Sequence, residues 1–110
     1  MMQLIRGTTP TIEINVKSDV DLEQVTAVWV YISQRKQVLV DKKIEDVTID
    51  IEHKKITLVL SQNDTLGLKA EAETMFQVRL LMSDGTALAS NAAEIEVLQV
   101  YKEGVISNGQ

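Results

Sequence analysis

The sequence contains no cysteine. Disulfide staples, thiol catalysis and Cys-ligated zinc or iron–sulfur centres are therefore excluded. Histidine occurs once, as His53, and proline once, as Pro10. The five glycines are scattered, so no Gly-rich phosphate cradle is present. No apolar run approaches the roughly 18 residues of a membrane-spanning helix. Met1 to Pro10 lacks the apolar segment of a secretory signal. Positive charge is scarce: 11 Lys and Arg against 16 Asp and Glu leave a net charge of -5. That argues against nucleic-acid binding, which uses a basic face to neutralise phosphates. These absences predict a chain that is cytoplasmic when synthesised, unless a larger particle carries it out, with neither membrane nor nucleic acid as a partner.

What is present is an ordinary globular composition, 45% hydrophobic and 25% charged over 110 residues. One domain, residues 1–106, is large enough to bury a core without metal or disulfide, and 107–110 reads as a frayed tail. The stretch Val25 to Gln34, VTAVWVYISQ, organises the rest. It is apolar on both phases: Val28, Val30 and Ile32 form one face, and Ala27, Trp29 and Tyr31 the other. β-Branched and aromatic side chains suit a pleated surface, so this is a strand within a sheet.

Around it lie shorter alternating segments. Met2 to Ile5 reads as an edge segment, and RGTTP (Arg6 to Pro10) as an irregular lead-in to a strand over Thr11 to Val16. Ser18 to Glu23 reads as a polar connection. Ser33 to Lys36 is expected to turn into a hairpin partner at Gln37 to Asp41, followed by a polar stretch from Lys42 to Asp46. Val47, Ile49 and Ile51 alternate, as do Ile56, Leu58 and Leu60, which predicts a second hairpin about the charged turn Glu52 to Lys55. Ser61 and Asp64 have capping-box spacing, predicting one helical turn that ends near Gly67 and crosses between sheets. Thr74 to Met82 is a strand with Phe76, Val78, Leu80 and Met82 on one face and Gln77 and Arg79 on the other. Asp84-Gly85 is the strongest turn signal. Ala87 to Glu103 is compatible with helix propensity, a helix from Asn91 placing Ile95 and Leu98 together. The alternation of Ile95, Val97 and Gln99 with Glu94 and Glu96 favours a strand over Glu94 to Tyr101, paired onto Thr74–Met82. The whole predicts an all-β, antiparallel immunoglobulin-like sandwich of about seven strands with one short helical turn.

Catalytic chemistry finds little support. His53 lies in a predicted turn with no second ligand at useful spacing, and Ser33, Ser61, Ser83 and Ser90 fall in turns without nucleophile-elbow glycines. Most carboxylates occupy outward phases, and no calcium-loop spacing occurs. No catalytic, cofactor-binding or metal-ligating residue is assigned, no cofactor is expected, and the chain reads as no enzyme. The basic pairs Arg35-Lys36, Lys42-Lys43 and Lys54-Lys55 fall at strand ends or turns, where they are expected to keep edges soluble; the alternative is a cluster at one end of the sandwich that binds an anion. Trp29, Tyr31 and Ala27 are the candidate interface. If Val28, Val30 and Ile32 face the core, these three lie on the outer face of a central strand, where aromatics bury against another chain or stack on a sugar. The alternative phase turns Trp29 inward and leaves the valines outside.

Six stretches occur in a recognisable order: RGTTPT (Arg6 to Thr11), a strand ending in Ser33-Gln34, K-x-x-D-V-T-I (Lys43 to Ile49), LSQNDTL (Leu60 to Leu66), SDGTALAS (Ser83 to Ser90) and KEGVI (Lys102 to Ile106). From Ile5 to Ile106 the chain resembles short prophage-encoded proteins of Firmicutes found among phage structural genes. More loosely, it is similar to the immunoglobulin-like N-terminal domain of phage baseplate upper proteins. Ser61 and Asn63 depart mildly from that family's pattern and leave the capping logic intact. The resemblance implies a non-enzymatic structural or interaction module of the tail or baseplate, with phage structural proteins or further copies of itself as partners and the virion as destination. It carries over no catalytic residues. A carbohydrate-binding module with Trp29 and Tyr31 as its platform is the rival expectation.

Overall fold

The computed structural model describes residues 2–107; three residues of the expected frayed tail, 108–110, lie outside the described range. Among the described residues nine strands form two layers. They are β1 (Met2–Ile5), β2 (Thr11–Asn15), β3 (Val25–Gln34), β4 (Gln37–Lys43), β5 (Val47–Asp50), β6 (Lys55–Val59), β7 (Thr74–Met82), β8 (Ala87–Ala89) and β9 (Ala93–Leu98). The larger sheet runs β1-β9-β7-β3-β4, with β8 also paired to β7; the smaller runs β2-β6-β5. This is the immunoglobulin arrangement: β2, β6 and β5 stand where strands B, E and D do, and β9, β7, β3 and β4 where G, F, C and C′ do.

The alternating pattern in each strand sets the layers. Val28, Val30 and Ile32 of β3 sit directly beside Leu80, Val78 and Phe76 of β7, so the two central strands share one inner face. Against them, from the smaller sheet and its flanks, pack Ile12, Leu58 and Leu60, and the cluster closes with Leu4, Val40, Leu68, Ile95 and Val97. Leu22 is buried as well, within a 3-10 turn over Leu22–Gln24, where the sequence predicts a plain polar connection. A second 3-10 turn covers Ile44–Asp46.

All strand pairs but one are antiparallel. The exception is β1, which lies parallel to β9 from Met2↔Ile95 to Ile5↔Leu98. Parallel pairing needs a long connection, and here the whole domain intervenes. The segment that admitted either helix or strand is extended: β8 and β9 both pair with β7, at Arg79–Leu81 and Thr74–Phe76 respectively. Ser90 bridges the gap between them. Its N–H donates to the Val78 carbonyl at 2.9 Å, and its Oγ accepts from the Val78 N–H at 3.0 Å. A side-chain oxygen thus takes the place of a ladder carbonyl, so β7 keeps its pairing across the break.

Some boundaries differ from expectation. Ser33 belongs to β3 rather than to a turn, because the hairpin loop is only Arg35-Lys36, both at positive φ (52° and 65°). That is the handedness of a type I′ turn, which matches strand twist but favours Asn and Gly. Ile51 does not continue β5 inward; it falls in the following turn and is exposed. The last strand ends at Leu98, not Tyr101, since Gln99 is drawn to Arg6. Lys42 lies within β4 and pairs with Asp64 at 3.0 Å.

The crossing from β6 to β7 contains α1 (Gln62–Leu66), where the expected capping box forms. Ser61 Oγ accepts from the Asp64 N–H at 3.0 Å, and the Asp64 carboxylate accepts from the Ser61 N–H at 2.9 Å. Burial works to raise the Asp64 carboxyl, but the bonds from Ser61 and Lys42 outweigh it and hold the group below the usual carboxylate range.

Candidate functional site

The three residues singled out from sequence share the outer face of the larger sheet. Val28, Val30 and Ile32 are buried, so the opposite phase of β3 faces outward: Trp29 is 45% exposed, and Ala27 and Tyr31 are half-buried. The inward alternative for Trp29 is overturned. The phase is decided by β7, whose outward Gln77 and Arg79 lie beside Tyr31 and Trp29 and could not be buried without partners.

Register explains the immediate surroundings. Trp29 lies opposite Lys43 on β4 and opposite Arg79 on β7. The Lys43 ammonium is 5.0 Å and the Arg79 guanidinium 5.2 Å from the centre of the indole ring. Cations from both neighbouring strands therefore flank the ring, each attracted by its electron-rich face. Lys43 also lies 3.6 Å from Asp41, which is opposite Tyr31. The Tyr31 hydroxyl bonds to Gln77 Oε1, and Gln77 Nε2 donates to the Ser90 carbonyl at 2.8 Å. Beside Trp29 is a shallow depression of about 170 Å³, with Ala27, Leu81 and Ala87 in its lining. The face is thus aromatic and apolar at its centre, cationic around Trp29, and fixed by side-chain bonds from β3 to β7 and on to Ser90.

No protein-family model matches this chain, and no curated protein matches it.

His53 lies in the β5–β6 turn, exposed, with Nδ1 2.8 Å from Asp50 Oδ2. The His53 backbone N–H, and then its side chain, hold the Asp50 carboxyl below the usual range. Among the described residues its side-chain bonds go to Asp50 alone, and no three His, Asp or Glu side chains converge as a metal site. Ser61 is the helix cap, and Ser90 serves the strand break. Ser83 Oγ donates to Gln24 Oε1 at 2.6 Å. Among the described residues no helix is long and apolar enough to cross a membrane.

Two groupings escaped sequence reading. Gln34 is buried at the C-terminal end of β3; its Nε2 donates to the Lys69 carbonyl (2.8 Å) and Thr74 Oγ1 (2.9 Å), and its Oε1 accepts from the Lys69 N–H (2.9 Å). The second joins stretches distant in sequence. Thr65 Oγ1 donates to the Thr8 carbonyl and accepts from the Gly7 N–H, both at 2.9 Å, while Arg6 reaches the Leu66 carbonyl at 2.8 Å. Arg6 also pairs with Glu103, and Gln62 bonds both backbone groups of Ile106. RGTTPT, LSQNDTL and KEGVI therefore converge at one end of the sandwich. A polar residue at an inward phase was the available signal for Gln34; nothing local signals the second grouping.

Proposed function

We propose that this chain is a non-enzymatic structural and interaction module of a prophage, a tail or baseplate component that acts by protein–protein assembly through the outer face of its larger sheet. The observation that carries the proposal is Trp29, which stands on a central strand, nearly half exposed between Lys43 and Arg79. Tryptophan and arginine dominate interface hot spots because they bury large area and bring directed polar contacts. An exposed tryptophan beside an apolar depression offers a partner chain an aromatic anchor. The phage context rests on the resemblance of the six stretches between Arg6 and Ile106.

The rival, a glycan platform of Trp29 and Tyr31, draws support from their lying two residues apart on one face. It is the weaker reading because cations from both neighbouring strands lie over the indole, where a sugar would stack.

The test is peptide mass spectrometry of purified particles induced from a lysogen carrying the gene. The expected result is a fixed ratio of this chain to the tail proteins, with Trp29→Ala folded but depleted from particles. Normal infectious particles that lack the chain would overturn the proposal. Glycan binding by a monomer, abolished by Trp29→Ala, would replace it with the rival.

A further inference from the structure

We infer that the outer face of the larger sheet pairs with the same face of a second copy of this chain. This rests on the interface reading above and adds the identity of the occupant.

Apart from Asp41, which lies beside Lys43, the charge on the strands of this face sits in two separate corners. Glu94 and Glu96 on β9 are exposed, alternating with buried Ile95 and Val97. Glu96 accepts a hydrogen bond from Gln3 Nε2 at 3.2 Å. Among the described residues, neither carboxylate lies within ion-pair distance of a cation. The opposite corner is Lys43 on β4 with Arg79 on β7, on either side of Trp29. Arg79 has no carboxylate partner among the described residues, and Lys43 has only Asp41 at 3.6 Å. The molecule is acidic overall, at -5, so a basic corner on this face stands out.

The register fixes how the corners are disposed. Glu94 is opposite Met75, four residues along β7 from Arg79, and β9 and β4 flank the β7–β3 pair on its two sides. Glu94 and Lys43 are therefore diagonal, about 20 Å apart from ordinary strand spacing and rise. The Tyr31–Gln77 pair lies between them. A two-fold axis lying in the face and passing through that pair exchanges the corners, so each copy sets its carboxylates over the other's cations, twice per dimer. Such isologous self-complementarity requires opposite charges on the two sides of the axis, and this face supplies them. The mutual repulsion of two acidic chains is screened beyond about 8 Å at physiological ionic strength, so contact pairs decide the orientation. A standard interface takes about 800 Å² from each partner. The broad side of the molecule, 47 × 33 Å, accommodates that area.

A charge exchange tests the pairing. The variants Lys43→Glu/Arg79→Glu and Glu94→Lys/Glu96→Lys alter exposed side chains, and circular dichroism checks that each folds. By light scattering at submillimolar concentration, the native chain is expected at twice its 12.3 kDa mass. Each variant alone should be monomeric, its dissociation constant raised about tenfold or more by like charges at contact. An equimolar mixture of the two should recover the dimer, because both contacts are again between opposite charges. A native monomer overturns the inference, as does a dimer indifferent to both variants or a mixture that stays monomeric. Failure here is distinct from failure of the phage reading. A monomer found in particles removes only the self-pairing, and a charge-dependent dimer missing from infectious particles removes only the phage role.

Discussion

The two faces of β3 are made of the same ten residues and meet opposite fates. The inner row, Val28, Val30 and Ile32, is excluded from water entirely or nearly so; the outer row, Ala27, Trp29 and Tyr31, is half open to it. Both rows contain large apolar surface, since the outer row holds the aromatic rings of Trp29 and Tyr31. The neighbours do. On β7 the inner phase is wholly apolar (Phe76, Val78, Leu80), whereas the outer phase includes Gln77 and Arg79, and adjacent strands of one sheet must agree. β-Branched residues then fill the narrow space between sheets, while Trp29 stands outside with its ring between two cations. The inner row serves the fold. The outer row is apolar beyond what the fold requires.

Mutations at the two rows should therefore differ in kind. Ile32→Ala, at a fully buried position, is expected to cost about 2–5 kcal/mol from lost burial and a residual cavity, read by urea denaturation. Equal tolerance of Ile32→Ala and Trp29→Ala would erase the comparison. Gln34→Leu sharpens it, because Gln34 is a polar member of the inner phase. Removing its amide strands the Lys69 N–H and C=O groups, at a cost of about 1–3 kcal/mol despite the gain in hydrophobicity. A neutral or stabilising Gln34→Leu would mean that water or loop movement satisfies those groups. Trp29→Ala should cost about 1 kcal/mol in the isolated chain, from lost contacts and the two cation–π pairs. The smallest effect is expected at the hairpin tip. Replacing Arg35-Lys36 by Asn-Gly relieves two positive φ angles and should stabilise by up to about 1 kcal/mol, seen as a raised melting temperature.

Much of the fold was legible because the strands obey period-two alternation. Thr11–Asn15, Lys55–Val59 and Thr74–Met82 each show it, and the Ser61–Asp64 spacing located α1. What was not legible depends on partners distant in sequence. The parallel pairing of β1 with β9 has no local signature. The hairpin about Arg35-Lys36 was expected, but its loop is tighter than the expected Ser33–Lys36 turn, because neither residue carries the chemistry that its positive φ favours. The break between β8 and β9 rests on Ser90 meeting Val78, twelve residues away. For the candidate face, the sequence supplied Trp29, Tyr31 and Ala27 but left their direction open. The register with Gln77 and Arg79 closes that question, and it also brings Lys43 and Arg79 to the indole.

Trp29 is the only tryptophan in the chain, so its fluorescence reports directly on this face. The measurement that bears most directly on the central claim is its emission maximum across a concentration series from dilute monomer upward. If the outer face of β3 is an assembly surface that takes a second copy, the emission shifts to shorter wavelength as the indole loses water on association. An emission that stays at its dilute, water-exposed position to the highest concentration would contradict self-association through this face.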